Sequence, residues 1–126
     1  MLKIAVIDNS IFDTNRIIQI LKQIQSNTEI QSYNSITSFL TSKNNCDFLL
    51  LDIELDKEDS IYESSKCRSL TKYIIYVSTI SDRMQEAFAQ NVIGYILKSD
   101  DDNTIQNVLT KLIHQYTEKY ICVKTM

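Results

Sequence analysis

Short blocks dominated by apolar residues alternate with stretches of helical spacing along the whole chain, and few architectures accept that alternation. Leu2 to Ile7 is dominated by Ile, Val and Ala, the composition of a strand buried on both faces. After Asn9 and Ser10, the apolar residues Phe12, Ile17, Ile18, Ile20, Leu21 and Ile24 fall at helical intervals. Ser10 with Asp13 three residues on resembles a capping box. Glu29 to Tyr33 reads as a second, more polar strand, suited to a sheet edge. Ser35 to about Ser42 predicts a short helix with Ile36, Phe39 and Leu40 on one side.

Asp47-Phe48-Leu49-Leu50-Leu51-Asp52 is the clearest buried strand, and the polar stretch Glu54 to Asp59 leads into a predicted helix from about Ser60 to Ser69. Tyr73 to Val77 follows as a strand. Ser81-Asp82 predicts the cap of a helix holding Met84, Ala87 and Phe88, and Gly94 to Leu97 a fifth strand. The last predicted helix runs from Asp102 or Asn103 to about Tyr120, with Ile105, Val108, Leu109, Leu112, Ile113 and Tyr116 on one stripe. Asp100 to Asp102 place negative charge where a helix N-terminus favours it. Five strand–helix alternations with short connections imply an α/β fold, a parallel sheet covered by helices on both faces, forming one domain over residues 1–126.

Composition narrows the chemistry. The only glycine is Gly94 and there is no proline, so neither a Walker A loop nor a G-x-G-x-x-G turn can be built. The single histidine, His114, excludes multi-histidine metal sites. Cys46, Cys67 and Cys122 are odd in number and widely spaced, which predicts reduced thiols and a cytoplasmic setting. The 13 basic side chains are scattered among 16 acids, without the cluster that displaces counterions from a nucleic acid, so direct nucleic-acid binding is not expected. No apolar run approaches the roughly 20 residues that span a bilayer, and no membrane association is expected.

In an open parallel sheet, ligands bind beyond the carboxyl ends of the strands. Those ends carry Asp8 and Asn9, Asp52, Ser78 and Thr79, and Lys98. Two carboxylates close together repel unless a cation lies between them, and hard oxygen ligands of this kind suit Mg²⁺. A carboxylate beside Mg²⁺ and a lysine is a nucleophile toward phosphorus, giving an acyl phosphate. Lys98 would neutralise charge on the phosphoryl oxygens and Ser78 would donate a hydrogen bond to one of them. This chemistry needs Asp52 next to Asp8 and Lys98, and open to solvent.

With those residues in view, the chain resembles the CheY-like receiver domain of two-component response regulators over essentially its full length. The resemblance rests on Ile4-Ala5-Val6-Ile7-Asp8-Asn9, Phe48-Leu49-Leu50-Leu51-Asp52-Ile53-Glu54-Leu55, Ile74-Ile75-Tyr76-Val77-Ser78-Thr79 and Gly94-Tyr95-Ile96-Leu97-Lys98. The stretch from Leu50 to Leu55, with Ala87-Phe88 and Gly94 to Lys98, is most similar to receivers that precede a LytTR DNA-binding domain. The resemblance implies a doubly wound five-stranded parallel sheet of order 2-1-3-4-5. It makes Asp52 the phosphoacceptor for a sensor histidine kinase and gives Asp8, Asn9, Asp52 and the backbone carbonyl of Glu54 as the Mg²⁺ ligands. Ser78 and Tyr95 would be the switch pair, and Lys98 the contact to phosphoryl oxygen.

Three features depart from the family pattern. Asn9 stands where a second acid is usual, Ser99 where a proline commonly follows the lysine, and Asp56, Lys57 and Ser60 in a loop that usually holds Pro and Gly. The expected role is a signalling module rather than an enzyme. Phosphorylation would switch protein contacts, including a homodimer through the helix 4–strand 5–helix 5 face with Phe88, Tyr95 and the outer side of the last helix. The alternative is a pseudo-receiver that binds partners without phosphate, which Asn9 and the altered loop favour. An aspartyl phosphatase would need a D-x-D after strand one, and residue 10 is serine.

Overall fold

The computed structural model describes residues 1–25, 27–55, 59–81, 83–87 and 91–125, with side chains described as far as Thr117. Five strands, β1 (Leu2–Ile7), β2 (Thr28–Tyr33), β3 (Cys46–Asp52), β4 (Thr71–Ser78) and β5 (Val92–Leu97), form one sheet of order β2-β1-β3-β4-β5. Every pairing is parallel. The helices are α1 (Ile11–Ile24), α2 (Ile36–Ser42), α3 (Ser60–Glu63), α4 (Met84–Ala87) and α5 (Asp102–Thr125). This is the CheY-like, flavodoxin-type doubly wound fold.

Strand side chains alternate between two cores, as the two-residue strand period requires. Val6, Leu50, Ile75 and Ile96 join Ile17, Ile20 and Leu21 of α1 and Ile105, Leu109 and Ile113 of α5 on one face. Ala5, Ile7, Leu49, Leu51, Ile74 and Tyr76 pack on the other with Ile36 and Phe39 of α2, Cys67, and Ala87 of α4. The central strand is therefore apolar in both phases, which is why its sequence shows no alternation. Gly94 marks a close approach of α5: a Cβ there would lie 2.6 Å from Leu112 Cδ1.

Several expectations are corrected. Phe12 is 77% exposed rather than packed in the α1 stripe. Ile17, Ile20 and Leu21 extend back to positions 13 and 14 at helical spacing, so residue 12 is out of phase. Val108 is 36% exposed, at the margin of the α5 stripe. The helix from Ser60 to Ser69 is α-helical only to Glu63 and continues as a 3₁₀ helix over Ser64–Ser69. The hydroxyl of Ser64 donates to the carbonyl of Ile61, three residues back, and such local bonds compete with the α-helical ladder. The α5 helix extends past Tyr120 to Thr125. Phe88, Asp82, Asp56, Lys57 and the Cys122 side chain lie outside what is described, while Cys46 and Cys67 are buried thiols. Among the described residues no helix is long and apolar enough to cross a membrane.

Candidate functional site

Sheet register brings the four strand-end residues to one rim. Ile7 pairs with Leu51, Asp52 with Val77, and Ser78 with Leu97. Continued along that register, Asp8 and Asp52 stand level with Val77 and Ile96, so that Ser78 lies one residue and Lys98 two residues further toward the rim. Backbone bonds fix the ends: Ile53 N–H donates to the Val77 carbonyl at 3.1 Å, and Lys98 N–H to the Ser78 carbonyl at 2.7 Å. Asp8 N–H donates to the Tyr33 carbonyl at 3.0 Å, so edge strand β2 also positions the site. The Ser60 hydroxyl donates to the Asp52 carbonyl.

The Lys98 ammonium reaches the Asp8 carboxylate at 2.9 Å and that of Asp52 at 3.4 Å. It also reaches Asp13 Oδ2 at 3.0 Å. Asp13 was expected only as the second half of a capping box. Its backbone N–H does donate to the Ser10 hydroxyl at 3.2 Å, but its carboxylate turns to Lys98. The Ser10 N–H is taken instead by Asp8 Oδ1 at 2.9 Å. Arg16, one turn along α1, was not singled out either. Its guanidinium donates to the Lys98 carbonyl at 2.7 Å, the Asp100 carbonyl at 2.6 Å and the Asp102 carboxylate at 2.7 Å. The Lys98–Ser99 peptide bond is trans, and Arg16 holds the turn that carries it.

Burial dominates the electrostatics of Asp52. It pushes the carboxyl up to about 6, with the Glu54 N–H and Lys98 pulling down and Asp8 adding to the rise. Burial alone would lower Lys98, but Asp8, Asp13 and the charge of Asp52 outweigh it and hold the ammonium firmly protonated. Asp52 meets one half of the sequence expectation. It sits beside Asp8 and Lys98, yet it is only 2% exposed, not open to solvent.

Glu54 has a role at its side chain that sequence reasoning missed. Its N–H donates to Asp52 Oδ1 at 3.0 Å. Its carboxylate accepts the Ser78 hydroxyl at 2.6 Å, the Thr79 N–H at 2.8 Å and the Thr79 hydroxyl at 2.7 Å. Its burial cost is outweighed by these bonds, which hold the carboxyl below its ordinary range. The expected donor Ser78 thus gives its proton to Glu54. Beyond it, Ile80 N–H donates to Ser78 Oγ at 3.1 Å, and the half-buried Tyr95 donates its hydroxyl proton to the Ile80 carbonyl at 2.7 Å.

For Mg²⁺, the donors at Asp8, Asn9, Asp52 and the Glu54 carbonyl are all hard oxygens. Three carboxylates against one ammonium (Asp8, Asp13 and Asp52 around Lys98) leave a charge of −2 when Asp52 is ionised, which a divalent cation cancels. In this arrangement the carboxylates turn to Lys98, and among the described residues no group of three or more His, Cys, Asp or Glu is set to hold a metal.

Neither a protein-family model nor a curated protein sequence matches the chain. Solved structures of receiver domains do. The response regulatory domain of protein mrkE from Klebsiella pneumoniae is similar at 20% identity and a TM-score of 0.78, over 93% of this chain and 99% of that one. A two-component response regulator from Clostridium difficile matches at 19% identity and 0.74, over 92% and 98%. A beryllofluoride-activated DrrB receiver domain matches at 18% and 0.72, over 94% and 98%. At these identities the likeness establishes the fold: the chain has the architecture of response-regulator receiver domains, which are signalling proteins.

Proposed function

We propose that the chain is a phosphoacceptor receiver domain spanning residues 1–126, acting in the cytoplasm with a sensor histidine kinase as donor. The observation carrying this reading is the convergence of Asp8 and Asp52 on the Lys98 ammonium at the sheet rim. An ionised Asp52 oxygen attacks the phosphorus of a phosphohistidine. The P–O bond forms as the P–N bond breaks, and the imidazole leaves and takes a proton from solvent. Lys98 neutralises charge on the phosphoryl oxygens, after moving off the carboxylate it covers. Mg²⁺ held by Asp8, Asn9, Asp52 and the Glu54 carbonyl would add charge neutralisation there. Ser78 and Tyr95 then respond, and the face of α4, β5 and α5 changes its contacts, including a homodimer. A LytTR-type DNA-binding output is the downstream role that the sequence resemblance favours.

Intact-mass analysis after treatment with a small phosphodonor and Mg²⁺ tests this. One added phosphoryl group is expected on wild type and none on Asp52→Asn. No gain on wild type favours the second reading, a pseudo-receiver that binds partners without phosphate. The near-complete burial of Asp52 and the engagement of Ser78 by Glu54 are the observations on its side.

A further inference from the structure

The rim holds an anion that phosphoryl chemistry does not require. Glu54 follows Asp52 by two residues, and its carboxylate crosses from the end of β3 to the end of β4, where it gathers three donors from Ser78 and Thr79. A serine hydroxyl has one proton to give. While that proton points at Glu54 Oε1 at 2.6 Å, it cannot also go to an oxygen on Asp52. We propose that the Glu54 carboxylate is a resident competitor of the phosphoryl group, so that an anion on Asp52 recruits Ser78 only by releasing Glu54. The inference rests on the phosphoacceptor reading and adds a residue that sets how readily that site switches.

The release has a defined path. Ser78 Oγ also accepts the Ile80 N–H, and the Ile80 carbonyl accepts the Tyr95 hydroxyl. Turning Ser78 toward Asp52 breaks its bond to Glu54 and moves the oxygen that holds the Ile80 N–H, and with Ile80 the carbonyl that Tyr95 engages. Glu54 is exposed, so on release it exchanges these bonds for water, which keeps the barrier modest. Like charge adds to the competition, because the carboxylate and an arriving anion would both lie against the Ser78 hydroxyl.

Beryllofluoride titration in Mg²⁺, followed by amide NMR on the whole chain, tests this on wild type, Glu54→Ala, Glu54→Gln and Asp52→Asn. Substitution at an exposed position leaves the backbone carbonyl in place. Half-saturation for Glu54→Ala is expected at about three- to tenfold lower beryllofluoride than for wild type, the worth of partly solvated charged hydrogen bonds. Glu54→Gln should fall between. Thr79 and Ile80 amides of unliganded Glu54→Ala should already be displaced from their wild-type positions. Equal affinity for wild type and Glu54→Ala, with binding lost in Asp52→Asn, overturns the competition while the phosphoacceptor reading stands. If neither wild type nor Glu54→Ala binds, the phosphoacceptor reading fails and the competition falls with it.

Discussion

Removing the charge of Asp52 should stabilise the protein at neutral pH and not in acid. The carboxyl is 2% exposed, and burial lifts it from an ordinary 3.8 to about 6. Because the folded carboxyl is raised, the folded chain keeps this proton between about pH 4 and pH 6 while the unfolded chain loses it. Stability therefore falls as pH rises through that window and stays lower above it. A rise of about two units at 1.36 kcal/mol each corresponds to about 3 kcal/mol. Asp52→Asn keeps the shape and can still accept the Glu54 N–H, and Lys98 retains Asp8 and Asp13. In metal-free buffer near pH 7.5 the variant should gain about 2–3 kcal/mol over wild type, or about 6–10 °C in melting temperature. Near pH 4 the gain should vanish. Urea and thermal melts followed by circular dichroism at both pH values decide it. An Asp52→Asn protein no more stable than wild type near pH 7.5 would refute the claim that ionised Asp52 is held there at a cost. Millimolar Mg²⁺ should narrow the gap, since metal binding favours the ionised carboxylate.

Gly94→Ala sets two effects of opposite sign against each other. A glycine replaced in an extended strand usually gains about 0.4–1 kcal/mol through the unfolded state, but here the new methyl meets Leu112 Cδ1 at 2.6 Å. A net loss of about 1 kcal/mol is expected in denaturant titration, and a stabilised variant would mean that Leu112 swings aside freely. Arg16→Met should cost about 2 kcal/mol by removing two charged bonds to backbone carbonyls and one to Asp102. Faster amide exchange should be confined to the turn from Lys98 to Asp101, and unchanged exchange there would show that Arg16 does not hold it.

The strands and the strand-end residues were legible because their signal is local. An apolar run such as Phe48 to Leu51 reports a strand buried on both faces, and the chain itself places Asp52 at its end. What escaped was decided by contacts across the fold. Asp13 meets Lys98 across 85 positions, and Glu54 meets Ser78 across 24. Nothing in the spacing distinguishes Asp13 as a cap from Asp13 as an ion-pair partner, because the same residue serves the cap with its backbone N–H. Phe12 is different, since its phase against Ile17, Ile20 and Leu21 was readable and excludes it from the buried stripe. The split of the helix after Glu63 depends on hydroxyl bonds such as Ser64 to Ile61, which the serine-rich segment hints at but does not fix.

The departures from the receiver pattern look less independent once the rim is drawn. Asn9 leaves one acid fewer at the end of β1, and Asp13 brings one in from the first turn of α1, so that three carboxylates face Lys98. Ser99 leaves the turn after β5 without the stiffness of a proline, and Arg16 grips the carbonyls on either side of it, at Lys98 and Asp100. Both replacements come from one helix, and residues one turn apart on a helix share a face. Charge and rigidity that the family pattern builds into two loops are thus supplied here by α1. The consequence is mechanical as well as electrostatic. Lys98 is tied to α1 twice, its ammonium to Asp13 and its backbone carbonyl to Arg16. Displacing α1 would therefore strain two ties at once, that to the Lys98 side chain and that to the turn carrying it.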